Sequence, residues 1–372
     1  MRRLAMDIPV AERAVEQQHL PHEPPFVTAS LPAAGGAIGP QPEDFQVEEI
    51  PAYLPSGAGE HLYVRVEKRN LTTPDLVRLL AREARVNERD IGYAGLKDRH
   101  ALTSQWFSLP QSAAPPDAWS LPETIRILEA SRHGNKLRTG HLRGNRFRIT
   151  LTGLDPAAFE RARTLVAELE RTGLSNYFGG QRFGRGGDNL ERALGWLRGG
   201  ARARLPAFLY KLYPSVVQAE VFNRYLTLRR EGGLGRALEG EVMRLANAGS
   251  HFIVTDAAAE SARLERRDIV PTGPIIGPKM FPSSGEPQAL EQRAIEALGL
   301  EPAVLEALGR AAPGARRDLV VYPGDLTLSE LGESRAELAF VLPSGSYATI
   351  LVRELTRAKL LNVDAQARDA AG

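Results

Sequence analysis

Strand-type alternation near both ends of this chain, with a different texture between them, constrains its fold more than any other feature. HLYVRVEK (61–68) sets Leu62, Val64 and Val66 against Tyr63, Arg65 and Glu67, the period of a half-buried strand. RAELAFVLP (335–343) also reads as a strand and leads into a helical YATILVREL. From about 200 to 325 the texture is alanine-rich helix, as in ALEQRAIEALGL and AVLEALGRAA, around a Pro/Gly-rich loop, DIVPTGPIIGPKMFPSSG. A mixed α+β domain interrupted by a second unit before its last elements accounts for this order.

The remaining elements follow from caps and periodicity. PEDFQVEEI (42–50) is a short strand candidate. TTPDLVRLLAREARV is a helix in which Thr73 caps, Pro74 fits the first turn, and Leu76, Leu79 and Leu80 form the apolar stripe. DIGYAG and SQWFSLP are short strands around a loop, and TIRILEA and RFRITLTGL are further strands. DPAAFERARTLVAELERTG is a helix running from an Asp155 cap to Gly173. NLERALGWL and PSVVQAEVFNRYLTLRRE are also helical, whereas residues 1–32 have little periodicity and read as a flexible extension.

Composition narrows the chemistry. The absence of cysteine excludes disulfides, thiolate metal sites and thiol nucleophiles, and fits a reducing cytoplasm. No stretch approaches the roughly 18 apolar residues of a membrane span. The net charge of +2 says little, and the 41 arginines against 6 lysines partly reflect a compositional bias shared with Ala and Gly. Only local clusters of arginine therefore carry weight.

Three segments could carry chemistry. ASRHGNKLRTGHLRGNRFRITLTGL (130–154) holds Arg132, Lys136, Arg138, Arg143, Arg146 and Arg148, two histidines and no acid. Cations without local counter-charge seek an external anion or stay in water, and the spaced glycines suit close approach to phosphates. NYFGGQRFGRGGDNL (176–190) has glycines at phosphate-loop spacing, but Arg185 and Gly186 stand where Lys and Ser/Thr are needed. It is instead a glycine-rich turn presenting Asn176, Tyr177, Phe178, Gln181, Arg182 and Phe183, which are either core aromatics around a loop or rings and amides suited to a flipped base. GLKDRHALTSQWF (95–107) sets Asp98 between Lys97 and Arg99; it is either a structural cap or turn residue or, since those cations favour an ionised carboxylate, a nucleophile or base. No H-E-x-x-H, paired metal spacing or G-x-S-x-G elbow occurs.

In order, PEDFQVEEI, GEHLYVRVEKRNLTT, GYAGLKDRHALTSQWF, HGNKLRTGHLRGNRFRI, NYFGGQRFGRGGDNL and LPSGSYATILVREL resemble the motifs of the TruD-type family of tRNA pseudouridine synthases, from roughly residue 36 to 358. The family pattern G-x-K-D-x-x-A-x-T-x-Q is met at Gly95, Lys97, Asp98, Ala101, Thr103 and Gln105. One departure is that AIGPQPEDF lacks the basic residue often found shortly before PEDF.

The resemblance implies an isomerase that converts uridine to pseudouridine in tRNA, at position 13, with no cofactor and no metal. It implies an α+β fold: a pseudouridine synthase-type catalytic domain with a central, mostly antiparallel sheet flanked by helices, and an inserted α/β TRUD-type domain. The expected division is 1–32 as the extension, 33–199 with 326–372 as the catalytic domain, and 200–325 as the insertion. Asp98 matches the essential aspartate, and Phe45, Lys97, Asn176, Phe178 and Tyr347 match substrate-binding positions. Phenylalanine also occurs at the Tyr347 position, so its hydroxyl is dispensable in this reading. Arg138, Arg143, Arg146 and Arg182 are candidates for the RNA backbone. The expected partner is tRNA, bound by a cytoplasmic monomer with no membrane association. Whether Asp98 attacks C1′ or abstracts the 2′ proton stays open.

Overall fold

The computed structural model describes residues 21–199 and 204–360, so what the sequence led us to expect of 1–20, 200–203 and 361–372 lies outside the described residues. The first half of the chain supplies β1 (Ala37–Ile38), β2 (Phe45–Pro51), β3 (His61–Arg69), α1 (Thr73–Ala84), β4 (Gly92–Tyr93), β5 (Leu102–Leu109), β6 (Ile125–His133), β7 (Leu142–Thr152) and α2 (Pro156–Thr172). There follow β8 (Leu174–Ser175), α3 (Asp188–Arg198), α4 (Ala207–Glu231), β9 (Val242–Leu245), β10 (His251–Ile253), α5 (Ala257–Glu265) and β11 (Ile269–Ile275). The last are α6 (Gly285–Glu296), α7 (Pro302–Ala311), β12 (Ala315–Asp318), β13 (Val320–Val321), β14 (Gly324–Gly332), β15 (Arg335–Pro343) and α8 (Ala348–Thr356).

The main sheet runs β14–β15–β7–β2–β5–β3–β6, with β1 added to β7 and β4 to β5. Every pair is antiparallel except β2 with β5, as expected of a mostly antiparallel sheet. Unbroken register from Arg335↔Thr152 to Pro343↔Gly144 lays the late strand β15 along β7. The alternating segments at the two ends of the chain thus share one sheet. A smaller antiparallel sheet, β10–β9–β11–β12, forms between them, and β13 pairs with β8.

Packing follows the alternation. Val64 and Val66 of β3 meet Leu76 and Leu80 of α1, all fully buried, while Leu79 is only partly covered. Each such side chain contributes on the order of 2 kcal/mol. A larger core holds Phe147 stacked on Phe340 at 5.2 Å and continues through α2 and α8 into α3, α4 and α7. Among the described residues no helix is long and apolar enough to cross a membrane.

Several local expectations need correction. The cap of α1 is Thr72, whose hydroxyl accepts from the Asp75 N–H. Thr73 is buried in the first turn with its hydroxyl committed elsewhere. The Pro/Gly-rich stretch from 268 to 285 contains the buried strand β11. That strand changes neighbour along its length, pairing with β9 over Ile269–Pro271 and with β12 over Thr272–Ile275. Pro271 falls at the hand-over, where a missing N–H is tolerated.

Residues 21–32, expected to be loose, are fastened to α8. Glu23 accepts from Arg353 at 2.6 Å, and Phe26 lies under the Arg353 and Arg357 guanidinium groups at 4.0 and 4.5 Å. The Val27 and Thr28 N–H groups donate to the buried Glu354 carboxylate. α8 buries charges that its own packing leaves unmatched, and this segment supplies their partners.

Candidate active site

The loop between β4 and β5 carries Asp98, and buried side chains from three elements hold its backbone. Gln105 of β5 donates to Gly95 O at 3.0 Å, the Lys97 N–H donates to the Thr73 hydroxyl of α1 at 3.0 Å, and Lys68 of β3 donates to Asp98 O at 2.8 Å. The Thr73 hydroxyl in turn donates to Gln105 Oε1 at 3.0 Å, so two of the three holders are tied together. Burial lowers the Lys68 ammonium to about 8, with Asp98 opposing that fall and Lys97 adding to it.

Lys97 does not face the Asp98 carboxylate as its position in sequence suggested. Its ammonium pairs with Glu49 Oε2 at 2.7 Å, and the two side chains are 4% and 1% exposed. Glu49 also accepts from the Trp106 N–H, which ties β2 to β5 beside the loop.

A second segment meets this loop from far along the chain. Gln181 Nε2 donates to Asp98 Oδ1 at 2.8 Å. A third, at the start of α8, brings Tyr347. A Cβ on Gly179 would come within 2.8 Å of the Tyr347 ring, so only glycine permits that approach. Phe45, Lys97, Asp98, Gln181 and Tyr347, with Phe147, line one cleft of about 320 Å³. Phe45 and Phe147 meet edge to face at 6.3 Å. Among the described residues the cleft lining includes no arginine; near PEDF, Arg335 pairs with Asp44 at 3.1 Å.

Asn176 and Phe178 stand one layer behind. They line a neighbouring pocket of about 420 Å³ with Arg182 and Arg317, and share Ser344 and Ser346 with the cleft. The Phe178 ring lies 5.9 Å from that of Tyr347, edge to face, and Arg317 stacks over it at 4.1 Å. The Asn176 amide, expected to face a base, is engaged: Oδ1 accepts from Arg317 at 2.7 Å and Ser346 at 3.0 Å, and Nδ2 donates to Asp318 O at 2.9 Å. These bonds fasten the Asn-Tyr-Phe turn to β12 and to the loop before α8. Burial lowers the Arg317 guanidinium to about 10, Tyr347 opposing and Arg182 reinforcing the effect.

The arginines of the backbone reading divide. Arg138 and Arg143 are exposed and have no ion pair among the described residues. Arg146 and Arg148 pair with Asp325 and Glu337, acids supplied by the late strands β14 and β15 that sequence neighbours could not reveal. Arg182 turns inward, donating to the Tyr347 hydroxyl at 3.2 Å and to Ser215 at 3.1 Å.

Lys68, Glu49 and Arg317 were not singled out from the sequence. Lys68 and Glu49 had a signal: each sits on the buried phase of its strand, in step with Val64 and Val66 or with Phe45 and Val47. Arg317 had none, being one of the chain's 41 arginines and lying in a four-residue strand.

Comparison with known proteins gives the family. The family model for tRNA pseudouridine synthase D (TruD) matches residues 25–190 and 197–355. A tRNA pseudouridine synthase D of Anaeromyxobacter dehalogenans is 46% identical over 340 residues, spanning 90% of this chain and 96% of that protein. Its counterpart in Thermus thermophilus is 40% identical over 346 residues, spanning 92% and 94%. A crystal structure of the putative tRNA pseudouridine synthase D from Methanosarcina mazei superposes with a TM-score of 0.69 at 24% identity, covering 89% of this chain and 95% of that one, a likeness of fold. By its motifs, its sheet and its relatives, the chain belongs to the TruD family of tRNA pseudouridine synthases.

Proposed function

We propose that this chain isomerises uridine to pseudouridine in tRNA, at position 13, with Asp98 as the reacting carboxylate. The observation that supports the reading is the Asp98 carboxylate held by Gln181 in a cleft walled by Phe45, Phe147 and Tyr347. The reaction breaks C1′–N1, turns the uracil ring and joins C1′ to C5; C5 loses a proton and the freed N1 gains one, so the product is an isomer of the substrate. Nothing is added from outside, so the site needs one carboxylate, a stacking surface and exclusion of water. Asp98 serves as nucleophile on C1′ or as base toward the 2′ proton. A primary isotope effect from deuterium at C2′ belongs to the second route alone.

Arg138 and Arg143 fit the role of contacts to the RNA backbone better than Arg146 and Arg182, whose guanidinium groups are engaged within the protein. Residues 200–325, taken as an insertion into a catalytic domain formed by 33–199 and 326–372, would clasp the tRNA from the far side. The reading carries a cytoplasmic monomer, and a single species near 40.6 kDa by light scattering is the expected result.

The test is to incubate the protein with unmodified tRNA and map pseudouridine by carbodiimide-dependent stops. Asp98→Asn is expected to abolish the stop at position 13 while tRNA affinity stays within a few-fold. Persistence of more than a few per cent of activity in that variant would remove Asp98 from the chemistry. Release of free uracil would instead make the protein an N-glycosidase.

A further inference from the structure

We propose that Lys68 is a positioning residue for this reaction, fixing the Asp98 main chain and placing a positive charge beneath its carboxylate. This deepens the functional reading above and rests on it. The sequence gives that charge to Lys97 and Arg99, but the Lys97 ammonium is neutralised by Glu49. Lys68 is fully buried, has no ion pair among the described residues, and donates to Asp98 O at 2.8 Å. A desolvated ammonium without a bound carboxylate is costly to fold around, so simple stability does not account for it.

The surroundings leave little else for that charge to act on. Across β5 and β6 the partners of Lys68 are Thr103 and Ile125, neither of which titrates. The buried residues of α1 are Thr73, Leu76, Val77, Leu80, Ala81 and Ala84, again without an ionisable group. The charged groups that bear on Lys68 are Asp98 and Lys97, both on the loop. In either chemical route Asp98 gives up its negative charge early, to C1′ or to the 2′ proton, and regains it when the product forms. A fixed ammonium below favours that return, and its bond to the carbonyl keeps the carboxylate within reach of the sugar.

The experiment compares wild type, Lys68→Met and Lys68→Arg for pseudouridine formation on unmodified tRNA, on both sides of pH 8, with urea unfolding alongside. Lys68→Met is expected to lower kcat roughly 100-fold, the scale of a misplaced reacting group, with KM within a few-fold. Its unfolding midpoint should equal or exceed that of wild type, since a buried charge is removed. Burial places the ammonium near 8, so it is present below that pH and lost above it. Wild-type kcat should therefore fall as pH rises through 8, and Lys68→Arg, which stays charged, should lack that fall. Should Lys68→Met fail to fold, the alkaline behaviour of Lys68→Arg decides. A Lys68→Met with wild-type kcat, or an alkaline fall unchanged in Lys68→Arg, overturns the proposal alone. A wild type that binds tRNA and forms no pseudouridine overturns the functional reading and this proposal together.

Discussion

Lys97, which lines the cleft, and Glu49, 48 residues away in sequence, form a 2.7 Å ion pair with side chains 4% and 1% exposed. The pair joins the Asp98 loop to β2, the strand that carries Phe45 into the cleft lining. Lys97 therefore organises the site from below, whereas its sequence position beside Asp98 suggested a direct partner.

Breaking that pair should be expensive. Lys97→Met strands the Glu49 carboxylate without its cation, and a loss of about 3–5 kcal/mol in urea unfolding is expected. Adding Glu49→Gln should return a large part of that stability. A single variant as stable as wild type would mean that Glu49 finds another partner.

Gln181 donates to Oδ1 of Asp98, a residue that lines the cleft. Gln181→Leu should reduce kcat by roughly 10- to 100-fold by freeing the carboxylate to rotate, with KM little changed. Steady-state kinetics on unmodified tRNA check this; an effect confined to KM would assign Gln181 to substrate binding.

The ring of Tyr347 should matter more than its hydroxyl. Tyr347→Phe loses only the bond from Arg182 and should keep activity within a few-fold, while Tyr347→Ala removes a wall of the cleft and should cost far more. Gly179→Ala should resemble Tyr347→Ala, because its new methyl would collide with the ring. Equal losses for the Phe and Ala variants would give the hydroxyl a role of its own.

Binding to RNA should depend on Arg138 and Arg143. Neutralising both is expected to lower the log–log salt slope of tRNA affinity by about two units, close to one per phosphate contact. Neutralising Arg146 and Arg148, already paired with Asp325 and Glu337, should alter the slope less. The reverse order would place the RNA along β14 and β15.

Legibility in the sequence followed the range of the forces involved. β3, α2, β15 and α8 were readable because period and capping act within a few residues. Asp98, Phe45 and Tyr347 were found through motif resemblance, and they do share a cleft. What failed was pairing over distance: which cation serves Asp98, what Asn176 binds, and which acids meet Arg146 and Arg148. Those depend on strands brought together from opposite ends of the chain. Lys68 and Glu49 were missed as well, although a charge on the inward phase of a strand is a signal of unusual burial that can be read before its partner is known.

The three backbone anchors on the Asp98 loop bear on how substrates are chosen. A loop stapled in this way has little freedom to reach into a stacked helix, so the nucleotide must travel the distance. The work of unstacking then falls on the RNA, and transcripts in which the target uridine already stands loose should react fastest. On this scaffold the softness of the RNA, as much as its letters, would decide what is marked.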